Sequence, residues 1–253
     1  MLFDLPLHHL SRWIFNCYLV EDTGDGRPLV VDAGLPCTAG LAAPLVSGTP
    51  RIAATHGHSD HVGGITRLLD RAAEVLLPAR CEAYLGGEPA RTPGPREVAK
   101  ILPVFADQPF DLAALREFGS ATAGYGRTPR MTVPFPVSGY LSDGDRLGDW
   151  EILAAPGHSD DSTCFYHPAS ETLISGDAIL THDGRAWFNP EIVDPVRSRA
   201  TEERLRELSV RHLLPGHGLP LAGVALLRDA RSFRERPPGP GMLARLSRSL
   251  GRW

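Results

Sequence analysis

Lysine is almost missing from this chain: Lys100 is the single one among 26 lysine and arginine residues. So uneven a usage reflects GC-rich coding, and a bacterial source, rather than a phosphate-binding surface. No basic excess exists either. The formal net charge is −4 and the isoelectric point near 6.2, against the footprint expected of a general nucleic-acid binder. Cysteine is sparse and scattered over Cys17, Cys37, Cys81 and Cys164, with no CxxC pair. That excludes a zinc knuckle and a disulfide scaffold, leaving buried thiols as the simplest reading. No apolar run approaches the roughly 18 residues of a membrane span, and the amino terminus lacks a basic start followed by an apolar stretch. The expected location is the cytoplasm.

What is present is a core. A hydrophobic share of 42% over 253 residues suits a packed globular protein. Phe15 to Val20 and Leu29 to Asp32 read as a hairpin around Thr23-Gly24-Asp25-Gly26, and Arg51 to Thr55 as a third strand. Gly63-Gly64 then opens a pattern with Ile65, Leu68, Leu69 and Ala72 on one helical face, followed by a strand from Ala73 to Pro78. This is the start of an α/β arrangement. Residues 82–140 carry eight prolines and only short helical patterns, Arg96 to Leu102 and Leu112 to Phe118. They read as an insertion forming a lid or pocket wall. Strands resume at Trp150 to Ala154, Thr163 to Tyr166, Thr172 to Ser175 and Arg211 to Leu214, with a helix predicted over Thr201 to Leu208. The expected organisation is one domain over residues 1–235, then a Pro/Gly linker and a basic amphipathic helix over 236–253. That helix, or an apolar face of the insertion, could support a homodimer.

The third strand delivers Thr55-His56-Gly57-His58-Ser59-Asp60-His61, four potential metal ligands in six positions. Alternate spacing puts His56 and His58 on one side of an extended segment, and Asp60 and His61 can turn back from the loop that follows. Imidazole and carboxylate suit zinc or another first-row ion, and one such loop could serve two neighbouring ions. Further on, His158 in Pro156-Gly157-His158, Asp177 in Ser175-Gly176-Asp177 and His217 in Pro215-Gly216-His217 each follow an apolar run and a glycine. Glycine there permits a sharp turn and close approach of a substrate.

His56-x-His58-x-Asp60-His61 followed by His158, Asp177 and His217, in that order, resembles the metallo-β-lactamase fold superfamily. The resemblance runs from Phe15 to about Gly218. It implies a four-layer αββα sandwich of two similar halves with the site at one edge. It further implies His56, His58 and His158 on a first metal, Asp60, His61 and His217 on a second, and Asp177 bridging. The metals expected are two Zn2+, with Fe or Mn as alternatives. The implied chemistry is hydrolysis, with a hydroxide shared by the two metals attacking a carbonyl ester and Asp60 orienting it or taking its proton. No cysteine stands beside a motif, which disfavours the antibiotic-hydrolysing enzymes, and His58 replaces the glutamate of the flavodiiron oxygen reductases.

Gly176 to Arg185 is similar to the corresponding stretch of glyoxalase II and of persulfide dioxygenases, and the five-histidine site resembles acyl homoserine lactonases. A thioester or lactone is therefore the expected substrate, with no nucleic-acid partner. Alternatives are a mononuclear iron persulfide dioxygenase using His56, His158 and Asp177, and a phosphodiesterase or nuclease. His182, Asp183, Arg185, Trp187, Phe188 and Tyr140 are the expected substrate contacts.

Overall fold

The computed structural model describes residues 1–236, so the predicted tail helix lies outside the described residues. Chain order begins β1 (Leu7–Arg12), β2 (Phe15–Val20), β3 (Leu29–Val31), α1 (Pro36–Ala42), β4 (Arg51–Ala53), α2 (Ser59–Val62) and β5 (Glu74–Pro78). Then come α3 (Arg80–Leu85), α4 (Pro95–Ile101), α5 (Leu112–Ser120) and β6 (Gly139–Leu141). The second half is β7 (Arg146–Leu147), β8 (Trp150–Ala154), β9 (Thr163–His167), β10 (Thr172–Gly176), β11 (Ile179–His182), β12 (Arg185–Phe188), α6 (Pro195–Arg206), β13 (His212–Pro215) and β14 (Leu221–Ala222). No helix among the described residues is long and apolar enough to cross a membrane.

Two six-stranded sheets result, ordered β1-β2-β3-β4-β5-β6 and β14-β13-β10-β9-β8-β7, beside a β11-β12 hairpin. Strand alternation explains why they stack. On β2, Tyr18 and Val20 face the second sheet, joining Val31 and Leu76 against Trp150, Ile152, Phe165 and Ile174. Their neighbours Cys17 and Leu19 pack outward with Ala39 and Ala42 of α1 and with Val62, Ile65 and Leu68. The second sheet repeats the scheme: Cys164 and Leu173 turn outward onto Leu205 of α6. Both faces of each sheet are thereby buried, which is why these strands are nearly continuous apolar runs. Each such side chain contributes roughly 1.5–3 kcal/mol when fully buried. The outcome is the αββα sandwich.

Topology also collects one set of strand ends at one edge. β3, β4 and β5 run parallel. β10 and β13 run parallel, and β8 is antiparallel to β9, itself antiparallel to β10. The loops leaving β3, β4, β8, β10 and β13 therefore emerge together. Thr163 ties the two sheets there, donating from its amide and hydroxyl to Thr55 O, each at 2.8 Å.

Three local expectations are corrected. The strand β1 was not anticipated. The pattern at Ile65, Leu68 and Leu69 builds a short 3-10 turn over Ile65–Arg67, not a continuous helix. Gly64 is pressed so closely onto the loop after β3 that a Cβ there would lie 2.4 Å from Ala33 O. Helix α6 starts at Pro195 rather than Thr201, because Asp194 caps it by accepting from the amides of Val196 and Arg197, both at 3.0 Å. Proline at the first position presets the backbone. Glu202 consequently sits late in the helix, paired with Arg206 at 2.7 Å.

Candidate metal centre

The collected loops bring His56, His58, Asp60, His61, His158, Asp177 and His217 into one cluster; Asp60 is part-exposed and the other six are buried. His58 precedes α2, whose single turn carries Asp60 and His61 back toward His56. Three imidazole nitrogens converge on one side: His58 Nδ1 lies 2.9 Å from His56 Nε2 and 3.2 Å from His158 Nε2. On the other side His217 Nε2 lies 3.3 Å from Asp60 and 3.2 Å from Asp177, while His61 Nε2 is 3.5 Å from Asp177 Oδ1. Asp177 reaches both groups, with Oδ2 also 3.5 Å from His158 Nε2.

These spacings match what one ion demands. Tetrahedral zinc with bonds of about 2.0–2.1 Å holds its ligand nitrogens roughly 3.3 Å apart. His61 Nε2 and Asp177 Oδ1 are moreover buried without a hydrogen-bond partner among the described residues, a costly arrangement unless something binds them. Triads His56/His58/His158, His56/His61/Asp177 and Asp60/His61/His217 each place their ligand atoms within 4.8 Å of one another. The donor set thus fits one or two first-row cations.

The surrounding polar groups fix the ring orientations. His158 Nδ1 donates to Glu191 O at 2.7 Å and His217 Nδ1 to Ile14 O at 2.7 Å, which aims each Nε2 at the cluster. His61 Nδ1 donates to Asp32 Oδ2 at 2.9 Å. Such partners orient metal-binding imidazoles and raise their basicity. Asp32 is itself held by the amide and hydroxyl of Thr55, at 2.7 and 2.8 Å, and adopts a left-handed φ of +55°. Sequence reading placed Asp32 only as a strand end; its signal is an acid closing an otherwise apolar strand. Asn189, also missed, donates to Asp177 O at 2.9 Å. Asn16 donates to Pro215 O and Gly218 O at 2.9 and 2.8 Å, bracketing the His217 loop.

Charge divides the cluster in two. Burial, reinforced by neighbouring imidazoles, pushes His56 well down and His58 to about 4, leaving neutral rings with free lone pairs. Burial alone would lower His61 and His217 too, but Asp32 and Asp177 raise His61 strongly, and Asp177 with Asp60 lifts His217 to about 10. Burial would raise Asp60, yet His61 and His217 outweigh it and hold that carboxyl at about 2. Stability follows with a definite sign. His217 stabilises the metal-free fold fully below 6.5, and the contribution is lost as pH rises through about 10. Asp60 contributes above 3.8 and loses it as pH falls through about 2. Chelator-treated protein is therefore expected to melt at progressively lower temperature from pH 7 to 10, with metal-loaded protein much less affected. Scanning calorimetry checks this, and a flat profile for the chelated protein would refute it.

A cavity of about 230 Å³ opens over the cluster. Its floor includes His58, Asp60, His158, Asp177 and His217, and its walls include Trp13, Phe15, Ile101, Phe105, Leu115, Phe118 and Tyr125. The expected substrate contacts do not line it. Trp187 and Phe188, on β12, are 0% and 2% exposed and belong to core clusters. His182 is buried against Asp107 at 2.7 Å, and Asp183 donates its amide to the same carboxylate. Arg185 donates to Asp229 O at 2.9 Å, and Tyr140 packs beside the outer cluster of the first sheet. Aromatic residues that fill a core and those that wall a cavity have the same sequence texture.

Comparison with known proteins agrees with this geometry. The family described as Metallo-beta-lactamase superfamily matches residues 12–217. The probable metallo-hydrolase YflN of Bacillus subtilis is 26% identical over 91% of this chain and 90% of its own length. The crystal structure of TTHA1623 in a di-iron-bound form is 28% identical, with a TM-score of 0.58 over 91% of this chain and 98% of that one. A hydroxyacylglutathione hydrolase of Hydrogenovibrio crunogenus is 40% identical over a local stretch, 22% of this chain and 23% of that protein. A match from β1 to the His217 loop takes in every residue of the cluster, and on it the chain belongs to the metallo-beta-lactamase superfamily.

Proposed function

We propose that this chain hydrolyses a small carbonyl ester, a thioester or a lactone, using two metal ions held by His56, His58 and His158 and by Asp60, His61 and His217, with Asp177 between them. The observation that carries this reading is the cavity: a floor of metal-binding groups under walls of apolar side chains, the shape an acyl group fills. Zinc, or iron as in the di-iron relative, would there polarise a carbonyl oxygen and bring the pKa of bound water toward about 7.

The chain's own residues supply the rest. Asp60, ionised and part-exposed at the cavity floor, can accept a proton from an attacking water or orient it by hydrogen bonding. Trp13, Phe15, Phe105 and Phe118 exclude bulk water, which strengthens electrostatic interactions below them. Residues 93–127 contribute much of that wall, so the 82–140 excursion serves as a pocket wall. Local identity to a hydroxyacylglutathione hydrolase favours the thioester. Against a single-iron dioxygenase built on His56, His158 and Asp177, His58 Nδ1 lies 2.9 and 3.2 Å from the Nε2 atoms of His56 and His158, which favours a three-imidazole set over a two-histidine, one-carboxylate one. Purified protein is expected to carry about two metals per chain. It should turn over a thioester or lactone at least 100-fold faster than a phosphodiester. Turnover of the phosphodiester alone, or one iron per chain with oxygen consumption, would overturn the reading.

A further inference from the structure

Among the residues lining the cavity, Arg127 is the one lysine or arginine. It is exposed and forms no ion pair within 4.0 Å among the described residues, although Asp60, Asp177 and Glu191 line the same cavity. Arg67, Arg96, Arg116 and Arg130 are also exposed, but they do not line the cavity. Position, not the lack of an ion pair, sets Arg127 apart.

Its backbone is anchored to the metal loop. Tyr125 donates its amide to Gly57 O, and Ser59 donates its own to Tyr125 O, both at 3.0 Å. The Tyr125 hydroxyl donates to Asp161, whose other oxygen accepts from the Gly57 amide at 2.7 Å. Gly126 then passes over His58 with a φ of +123°; a Cβ there would lie 3.5 Å from the His58 ring. Arg127 is thus attached one residue beyond a rigid contact with a metal-binding imidazole.

We propose that Arg127 selects substrates bearing a carboxylate a few methylenes from the scissile carbonyl. This rests on the ester reading above. With the carbonyl over the cluster, Ile101, Phe105, Leu115 and Phe118 take the methylenes and the guanidinium takes the remote anion. A single planar fork, with no second lysine or arginine among the residues lining the cavity, suits a carboxylate, pairing through two N–H donors, better than a doubly charged phosphate.

Two pairs of thioesters test it in the metal-loaded protein: glutaryl against pentanoyl on the acyl side, and 3-mercaptopropionate against propanethiol on the leaving side. In at least one pair the charged member should be preferred about tenfold in kcat/KM. The preference should vanish in Arg127→Ala, survive in part in Arg127→Lys and invert in Arg127→Glu. Added salt should shrink it. Because Arg127 is exposed, metal content and melting temperature should be unchanged in all three variants. No preference in the wild type for either pair, or one that persists in Arg127→Ala, overturns the proposal. Calorimetry with glutarate against pentanoate provides a separate readout: glutarate should bind about tenfold tighter, and Arg127→Ala should abolish the difference. Absence of thioester turnover with that binding difference intact would sink the ester reading while leaving the carboxylate contact standing; absence of the binding difference would sink the latter.

Discussion

Asp177→Asn is expected to lower turnover by about three orders of magnitude and to reduce metal content below two per chain. The substitution preserves shape and removes one charge, so it isolates electrostatics from packing. Five imidazoles converge on the cluster, and Asp177 lies within 3.5 Å of His61, His158 and His217. Burial would raise its carboxyl, yet His217 and His61 hold it well below the usual range, so it carries its charge at any working pH. An amide in its place offers one weak oxygen and directs an N–H at groups that must bind cations. Several kcal/mol of charge stabilisation disappears, which corresponds to roughly 10³ in rate. Elemental analysis together with steady-state kinetics measures both effects. Full metal loading with activity within tenfold of wild type would remove Asp177 from the proposed bridging role.

Gly216→Ala changes no ligand and is nevertheless expected to cost about 100-fold in turnover, with metal lost on dialysis. A Cβ at Gly216 would lie 2.2 Å from Asp177 Oδ1 and 2.9 Å from His61 Cε1. Neither is a tip that can swing aside, since both belong to the cluster. Backbone retreat is blocked as well: the Gly216 amide donates to Gly176 O at 2.9 Å, and its carbonyl accepts from Asn16 at 3.3 Å. The methyl must displace the carboxylate, and misplacement by about 1 Å is enough for such a loss. Gly94→Ala is the control, with nothing within 4 Å of its would-be Cβ. Equal behaviour of the two variants would show that the contact is relieved without disturbing the cluster.

The loops whose imidazoles and carboxylates the fold clusters were legible because their chemistry is dense and rare: such groups seldom follow apolar strands unless something pairs with them. Sheet strands were legible for a related reason, as buried runs such as Leu29 to Val31 have few other uses. What stayed hidden depended on distance in sequence. Asp32 gains its meaning from Thr55 and His61, and nothing in Val31-Asp32-Ala33 shows that they will meet. Phe118 and Phe188 are the same residue type in similar apolar surroundings. Only the packing of α5 against the start of β2, where Phe15 and Phe118 rings lie 5.4 Å apart, puts the first on the cavity and leaves the second in the core. Helix α6 was legible in principle from Asp194-Pro195, a start signal overshadowed by the acidic pair at Glu202 and Glu203.

The hydrogen bonds from Asn16 to Pro215 and Gly218 join positions 199 and 202 residues apart. They make the centre depend on the meeting of segments far apart in the chain. A growing polypeptide that has exposed His56, His58 and even Asp177 still lacks the strand that carries His217 and the bracket that orients it. Contacts of such separation form late and slowly. Tight double occupancy by metal would then mark molecules in which β2 and the loop after β13 have already met, and purification schemes that load metal would favour folded protein over partly folded chains.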